Sequence, residues 1–140
     1  MFELDPRLQA DTITIGDFPL CRLLLMNDST YPWFILVPRR EGSCEIHQLL
    51  ETDQAQLWLE SVVLARWMES AFSFAKLNVA ALGNVVSQLH LHHVARRTDD
   101  PTWPGPVWGQ HPAKPYAPDE IEKIKQQAAD ELAEYLGDES

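Results

Sequence analysis

The chain has 140 residues, 45% of them apolar and five of them Trp; this is enough for one ordinary domain with a real core, and too apolar for a disordered segment. No apolar run approaches the roughly 20 residues needed to cross a bilayer, which argues against a membrane-embedded chain. With 11 basic against 21 acidic side chains and a net charge of −10, it repels polyanions and has no basic stripe, so a nucleic-acid polymer is not an expected partner.

The first six residues carry neither a positive n-region nor a continuous apolar stretch. No secretory signal is expected, and the cytoplasm is the expected location. After this turn-like start, Thr12-Ile13-Thr14-Ile15-Gly16-Asp17 alternates as a strand does. Residues 20–26 form an apolar run stopped by Asn27-Asp28-Ser29, and the two segments read as a hairpin pair. Trp33-Phe34-Ile35-Leu36-Val37 is a third strand, closed by Pro38.

From an N-cap at Thr52 or Asp53 to Lys76, the positions of Leu57, Leu64, Met68, Ala71 and Phe72 predict the main helix. Residues 77–82 and 85–95 read as strands around the turn signal Gly83-Asn84. Six prolines from Pro101 to Pro118, with Trp103 and Trp108 among them, forbid regular structure there. Pro118-Asp119-Glu120 opens an amphipathic helix through Ile121, Ile124, Ala128, Leu132 and Tyr135, ending before Gly137. Cys21 and Cys44 lack C-x-x-C spacing and read as reduced, buried thiols. The expected class is α+β, an antiparallel sheet with helices on one face. The expected organisation is a single domain, 1–140, with a core at about 12–97, a Pro- and Trp-rich loop at 98–117 and a C-terminal helix at about 118–136.

Chemistry concentrates in Gln88-Leu89-His90-Leu91-His92-His93. On a strand, residues two apart share a face, so Gln88, His90 and His92 would stand together while Leu89, Leu91 and His93 turn to the core. Isolated histidines in strands are usually half-buried hydrogen-bonding residues, but two beside a Gln form a convergent polar group. A metal site would need one or two further ligands, but His47 and His111 are distant in sequence and the nearest downstream acidic residues, Asp99 and Asp100, lie beyond the strand. Attack on phosphorus needs only the pair: one imidazole as nucleophile and the other as donor to the developing charge.

The segment resembles the signature of the histidine-triad (HIT) family, His-φ-His-φ-His-φ-φ with φ apolar, here written Gln88-Leu89-His90-Leu91-His92-His93-Val94. Gly83-Asn84 stands where that family usually has Gly-Gln. Asn27-Asp28, followed by the strand ending in Pro38-Arg39, is similar to its ribose-contacting Asn and the strand beyond. The resemblance covers about residues 20–97. It implies a five-stranded antiparallel sheet with a long central helix and a C-terminal helix. The implied activity is hydrolysis or transfer on nucleoside phosphoramidates, dinucleoside polyphosphates or related nucleotide conjugates, through a covalent nucleotidyl-histidine and without cofactor or metal.

By the same resemblance His90 is the nucleophile, His92 bonds the phosphate and Gln88 fills the first catalytic position. Gly83 and Asn84 lie at the phosphate, Asn27 and Asp28 at the ribose, and Leu25 and Ile35 near the base. The partner is a nucleotide-type small molecule, and the chain is expected to form a homodimer through the long helix, with Trp58, Trp67 or Phe72 as interface residues. The 101–108 segment either reaches toward a partner's site or packs on its own aromatics. Three departures are evident: Gln88 for the first His, Trp33 where many members carry His, and Val85 for a small hydroxyl residue. They motivate a rival reading, a nucleotide-binding protein with weak turnover. A His-based metal-binding protein is the third.

Overall fold

Two six-residue strands, Trp33–Pro38 (β3) and Leu91–Arg96 (β5), are buried along their whole length. A strand covered on both faces must be flanked by neighbours and layered above and below, and these two are the centre of the sheet. In the computed structural model, which describes residues 1–137, they are joined by Thr12–Asp17 (β1), Cys21–Met26 (β2) and Lys76–Ala80 (β4) in the antiparallel order β1-β2-β3-β5-β4. The final three residues of the expected 1–140 domain lie outside the described residues. The five-stranded α+β architecture agrees with the sequence expectation.

Alternation sorts the side chains into two layers. One face presents Leu23, Leu25, Phe34, Leu36, Leu91 and Ala95 to a 22-residue helix, Glu51–Phe72 (α2), and to Pro118–Glu131 (α3). The Glu60 carboxylate of α2 is buried and accepts the backbone N–H of Leu20 and Cys21, both at 2.8 Å, which ties the helix to the start of β2. The other face presents Leu24, Trp33, Ile35, Val37 and Val94 to Leu8, Tyr31 and Val107.

Leu8 belongs to a short helix, Pro6–Asp11 (α1), capped by the Asp5 carboxylate accepting from Arg7 N at 2.8 Å. The reading of a turn-like start missed it, although Asp5-Pro6 is an N-cap and N1 pair. Helices therefore cover both faces, not one.

Other boundaries also moved. α2 starts at Glu51 without a side-chain cap, because Asp53 is engaged by Arg40 at 2.7 and 3.0 Å. It stops at Phe72, since Ser73 adopts φ 51°, which frees Lys76 to begin β4. β5 starts at Leu91 instead of 85, and α3 ends at Glu131, after which Leu136 packs on Gly16 while Tyr135 is exposed. Cys21 is buried as expected, and its burial pushes the thiol far above its ordinary value; Cys44 is exposed. Among the described residues, no helix is long and apolar enough to cross a membrane.

The proline-rich segment is irregular, as its composition demands, and Arg96 anchors it. This guanidinium, 1% exposed, donates to Asp100 at 2.8 and 3.0 Å, to Asn78 at 2.9 Å and to Thr102 at 3.2 Å. It also lies over the rings of Tyr31 and Trp103. Replacing Arg96 by Ala strips the Asp100 carboxylate, buried at the side chain, of its cation and leaves it only the Arg97 and Thr102 backbone N–H groups. The change is expected to cost about 3 kcal/mol in urea unfolding, with faster proteolysis between 98 and 117; an unchanged denaturation midpoint and cleavage pattern would contradict this anchoring role.

Candidate active site

His92 sits on the α1-side face of β5, directly across from Ile35 and diagonal to Trp33. Trp33 Nε1–H donates to His92 Nδ1 at 3.0 Å. An indole nitrogen can only donate, so the His92 lone pair is on Nδ1 and, in the neutral ring, the proton is on Nε2. Burial, then the neighbouring His90 and His93, pushes the His92 pKa down to about 3, so the ring is neutral at ordinary pH.

His90 lies one residue before β5 and two before His92, on the same face, with ring centroids 4.9 Å apart. Its Nδ1 is 2.7 Å from the backbone carbonyl of Gln88. A carbonyl only accepts, so Nδ1 carries the proton and the neutral ring has its lone pair at Nε2. Adjacent rings thus hold opposite tautomers: one offers a lone pair, the other an N–H.

His93 points through the sheet toward α2, as alternation requires. It is fully buried, with Nδ1–H donating to Leu91 O at 3.1 Å and Nε2 accepting from Ser61 Oγ at 2.7 Å. Burial lowers its pKa to about 4. It is a satisfied core residue, as its position in the alternation indicated.

The carboxamide of Gln88 is engaged away from the imidazoles. Oε1 accepts from Asp5 N and Nε2 donates to Glu3 O, both at 2.8 Å. Position 88 therefore meets the histidine pair through its backbone carbonyl, and the Trp33 N–H goes to His92, so hydrogen bonding does not couple positions 33 and 88. Residues 81–90 form a loop in place of the first half of the expected strand, because the Gln88 segment is held by the N-terminus and by Leu89 N–H donating to Ser43 O at 2.9 Å.

Gly83, at φ 76°, borders His90 in a crevice of about 10 Å³ shared with Cys44, Glu45 and Leu89. That is room for about one water. Asn84 is exposed on the same loop. His90 and His92 are 7% and 4% exposed, so the site is closed in this conformation. Trp108, from the proline-rich loop, packs edge-on to His92 at 5.3 Å and to Trp33 at 6.1 Å.

On the far side of Trp33 and Trp108 lies a cavity of about 520 Å³ that Asn27, Asp28, Arg7 and His111 also line. Asn27 Oδ1 accepts from Tyr116 N at 2.9 Å, and Asp28 Oδ1 accepts from Thr30 N at 3.0 Å. Leu25 and Ile35, expected near a base, are instead sealed in the two cores at 0% exposure. Among the described residues no group of three His, Cys, Asp or Glu is gathered to hold a metal ion.

Comparison with known proteins decides the family. A family model described as HIT domain matches residues 7–99. The chain belongs to the HIT family. Among solved structures, a histidine triad protein from Marinobacter aquaeolei VT8 is 48% identical, with 97% of this chain and 99% of that chain covered and a TM-score of 0.94. Histidine triad proteins from Sinorhizobium meliloti 1021 and Bradyrhizobium japonicum are 43% and 42% identical, each with 97% of this chain and 98% of that chain covered, at TM-scores of 0.90 and 0.89. A comparison with curated proteins found no match.

The HIT signature points to His90 and His92, whereas the contacts of Trp33, Trp108 and the N-terminal segment with that pair have no counterpart in it. Trp33 registered only as a departure from the family pattern, though an indole diagonal to an imidazole is a donor in search of an acceptor.

Both lowered histidines link stability to pH. The unfolded chain takes up protons near pH 6.5 that the folded chain refuses until about pH 4 at His93 and about pH 3 at His92. Their contribution is therefore complete above about pH 6.5 and is lost as the pH falls. Between about pH 6.5 and 5, where carboxylates titrate little, urea melts should show stability falling with acidity, and His93→Gln should reduce that slope by up to about one proton. An equal slope in the two proteins would refute the linkage at His93.

Proposed function

We propose that this HIT protein hydrolyses or transfers nucleotidyl groups from nucleoside phosphoramidates, dinucleoside polyphosphates or related conjugates through a nucleotide held covalently on His90. The pair of opposite tautomers carries the reading, because it sets a nucleophilic lone pair beside a neutral N–H donor without any outside group. His90 Nε2 attacks phosphorus, a P–N bond forms, and the bond to the leaving group breaks with its electron pair going to that group, an amine leaving group taking its proton from water. His92 Nε2–H bonds the phosphoryl oxygens as their charge grows. Water then attacks the phosphorus and gives up a proton to solvent, the P–N bond breaks and His90 recovers its lone pair.

The cavity beyond Trp33 and Trp108 supports assignment of the nucleoside to Asn27 and Asp28, which line it. Gly83 beside His90 supports a phosphate role for the 81–88 loop, on which Asn84 is exposed. A specific observation favours a second reading, a nucleotide-binding protein with weak turnover: the crevice at His90 is far too small for a phosphate, and the Gln88 carboxamide is already committed.

Incubation with an adenosine phosphoramidate, followed by rapid quenching and mass spectrometry, should show an acid-labile nucleotidyl adduct on His90. His90→Asn should abolish the adduct and lower turnover on the order of a thousandfold or more. Tight binding of a nucleoside monophosphate with neither adduct nor product would select the second reading.

Homodimerisation is proposed through the solvent side of α2. Trp58, Leu59 and Val62 are 50%, 57% and 44% exposed there, whereas Trp67 and Phe72 pack with Phe34 in the chain's own core. Trp58→Glu should turn a dimer into a folded monomer in sedimentation analysis; a native protein sedimenting as a monomer at high concentration would refute the interface.

A further inference from the structure

The residues that hold His90 in its tautomer belong in part to the N-terminus. Gln88 O accepts His90 Nδ1–H at 2.7 Å, and the side chain of the same residue is clamped at both of its polar ends by a different segment, with Nε2 on Glu3 O and Oε1 under Asp5 N. Phe2 and Leu4 of that segment are half-buried against the cluster containing Leu24 and Val37, and Leu8 follows at 4% exposure. Residues 2–5 are thus laid on the site-bearing face of the sheet and tied off at the residue whose carbonyl orients the nucleophile. The strap falls outside residues 7–99 matched by the HIT model, yet the three bacterial relatives each cover 97% of this chain.

We propose that Gln88 is a positioning residue which, gripped by Glu3 and Asp5, fixes the backbone carbonyl that keeps His90 in the Nδ1–H form with Nε2 free to attack. The choice of Gln at this position follows from the geometry. A carboxamide offers a donor and an acceptor side by side, as a backbone peptide does, and can bridge a carbonyl and an N–H two residues apart in one segment. A neutral imidazole has its donor and acceptor on separate edges of the ring and cannot make the same two bonds. A His at position 88 would therefore release the strap, and the Gln at position 88 and the strap are one device. A nearby hydrogen-bond partner of a reacting group works by holding geometry, and small misplacements of a nucleophile reduce the chemical step more than binding.

The inference rests on His90 as nucleophile, and its test separates the two. Asp5 has φ −52°, which proline adopts, so Asp5→Pro deletes the N–H on Gln88 Oε1 with little backbone demand. Asp5→Ala loses the same carboxylate cap while keeping that N–H, and is the reference against which Asp5→Pro is read. Imidazole 1H–15N spectra report the tautomer of His90, and steady-state kinetics on the phosphoramidate report kcat and KM separately.

Native protein is expected to show His90 with a protonated Nδ1. Asp5→Pro and Gln88→Ala should show mixed tautomers, with kcat down about tenfold to a hundredfold and KM little changed; Gln88→Asn, which keeps the amide one methylene short, should recover part of the loss. Native His90 protonated at Nε2, or Asp5→Pro matching Asp5→Ala in both tautomer and kcat, overturns the proposal. If either Asp5 variant fails to fold, the native tautomer and the Gln88→Ala spectrum decide. Tautomer mixing in the variants together with no His90 adduct in the native protein upholds the strap and overturns only the nucleophile assignment.

Discussion

An indole N–H can donate and do nothing else, and on a strand buried on both faces it must find an acceptor. Trp33 finds one in His92 Nδ1 at 3.0 Å, and much of the site follows from that bond. It leaves Nε2 of His92 protonated. It holds the ring at the angle that places it 4.9 Å from His90. It also makes Trp33 a shared wall, with the histidine pair on one side and the cavity lined by Asn27 and Asp28 on the other. Burial supplies the complement, because a ring that resists protonation keeps a tautomer that a charged ring would lose.

The elements flanking this pair come from both ends of the sequence. The loop after β5 is moored by the Arg96–Asp100 ion pair and by backbone bonds from residues 114 and 116 to Asp28 and Asn27, and its Trp108 lies against His92. The segment before α1 is moored at Gln88. β5 therefore bears His92 and follows directly on His90, while less regular chain determines how those rings are held and how much of them solvent reaches. A rigid core with an adjustable cover is a common division of labour between sheets and loops.

The sheet was legible in the sequence because four of its strands are apolar or alternating runs bounded by turn residues, and hydrophobic periodicity reports burial directly. What could not be read was conditional on distant partners. Asp53 has the chemistry of a helix cap, yet its carboxylate is bonded to Arg40. Residues 85–90 looked like strand because Gln88-Leu89-His90 alternates, yet tertiary bonds from Glu3, Asp5 and Ser43 pull that stretch into a loop. The facing of His90 and His92 was legible from spacing alone, whereas their tautomers depend on Trp33, 59 residues away in sequence from His92, and on a carbonyl with no side-chain signature. Leu25 and Ile35 show the opposite failure: apolar character indicated the core correctly, and analogy moved them to a pocket where they are not found.

His92 and His93 are neighbours in sequence with unrelated surroundings, one bonded to an indole and the other to the Ser61 hydroxyl on the opposite side of the sheet. A pairing shift of β5 by a single residue would put one imidazole in the other's place and set Leu91 or Val94 before the remaining partner, breaking both arrangements at once. Two consecutive identical residues, which by themselves encode no direction, thereby become a register lock: the strand has one alignment in which both rings are satisfied, and a slip of one residue is felt as a chemical error on both faces.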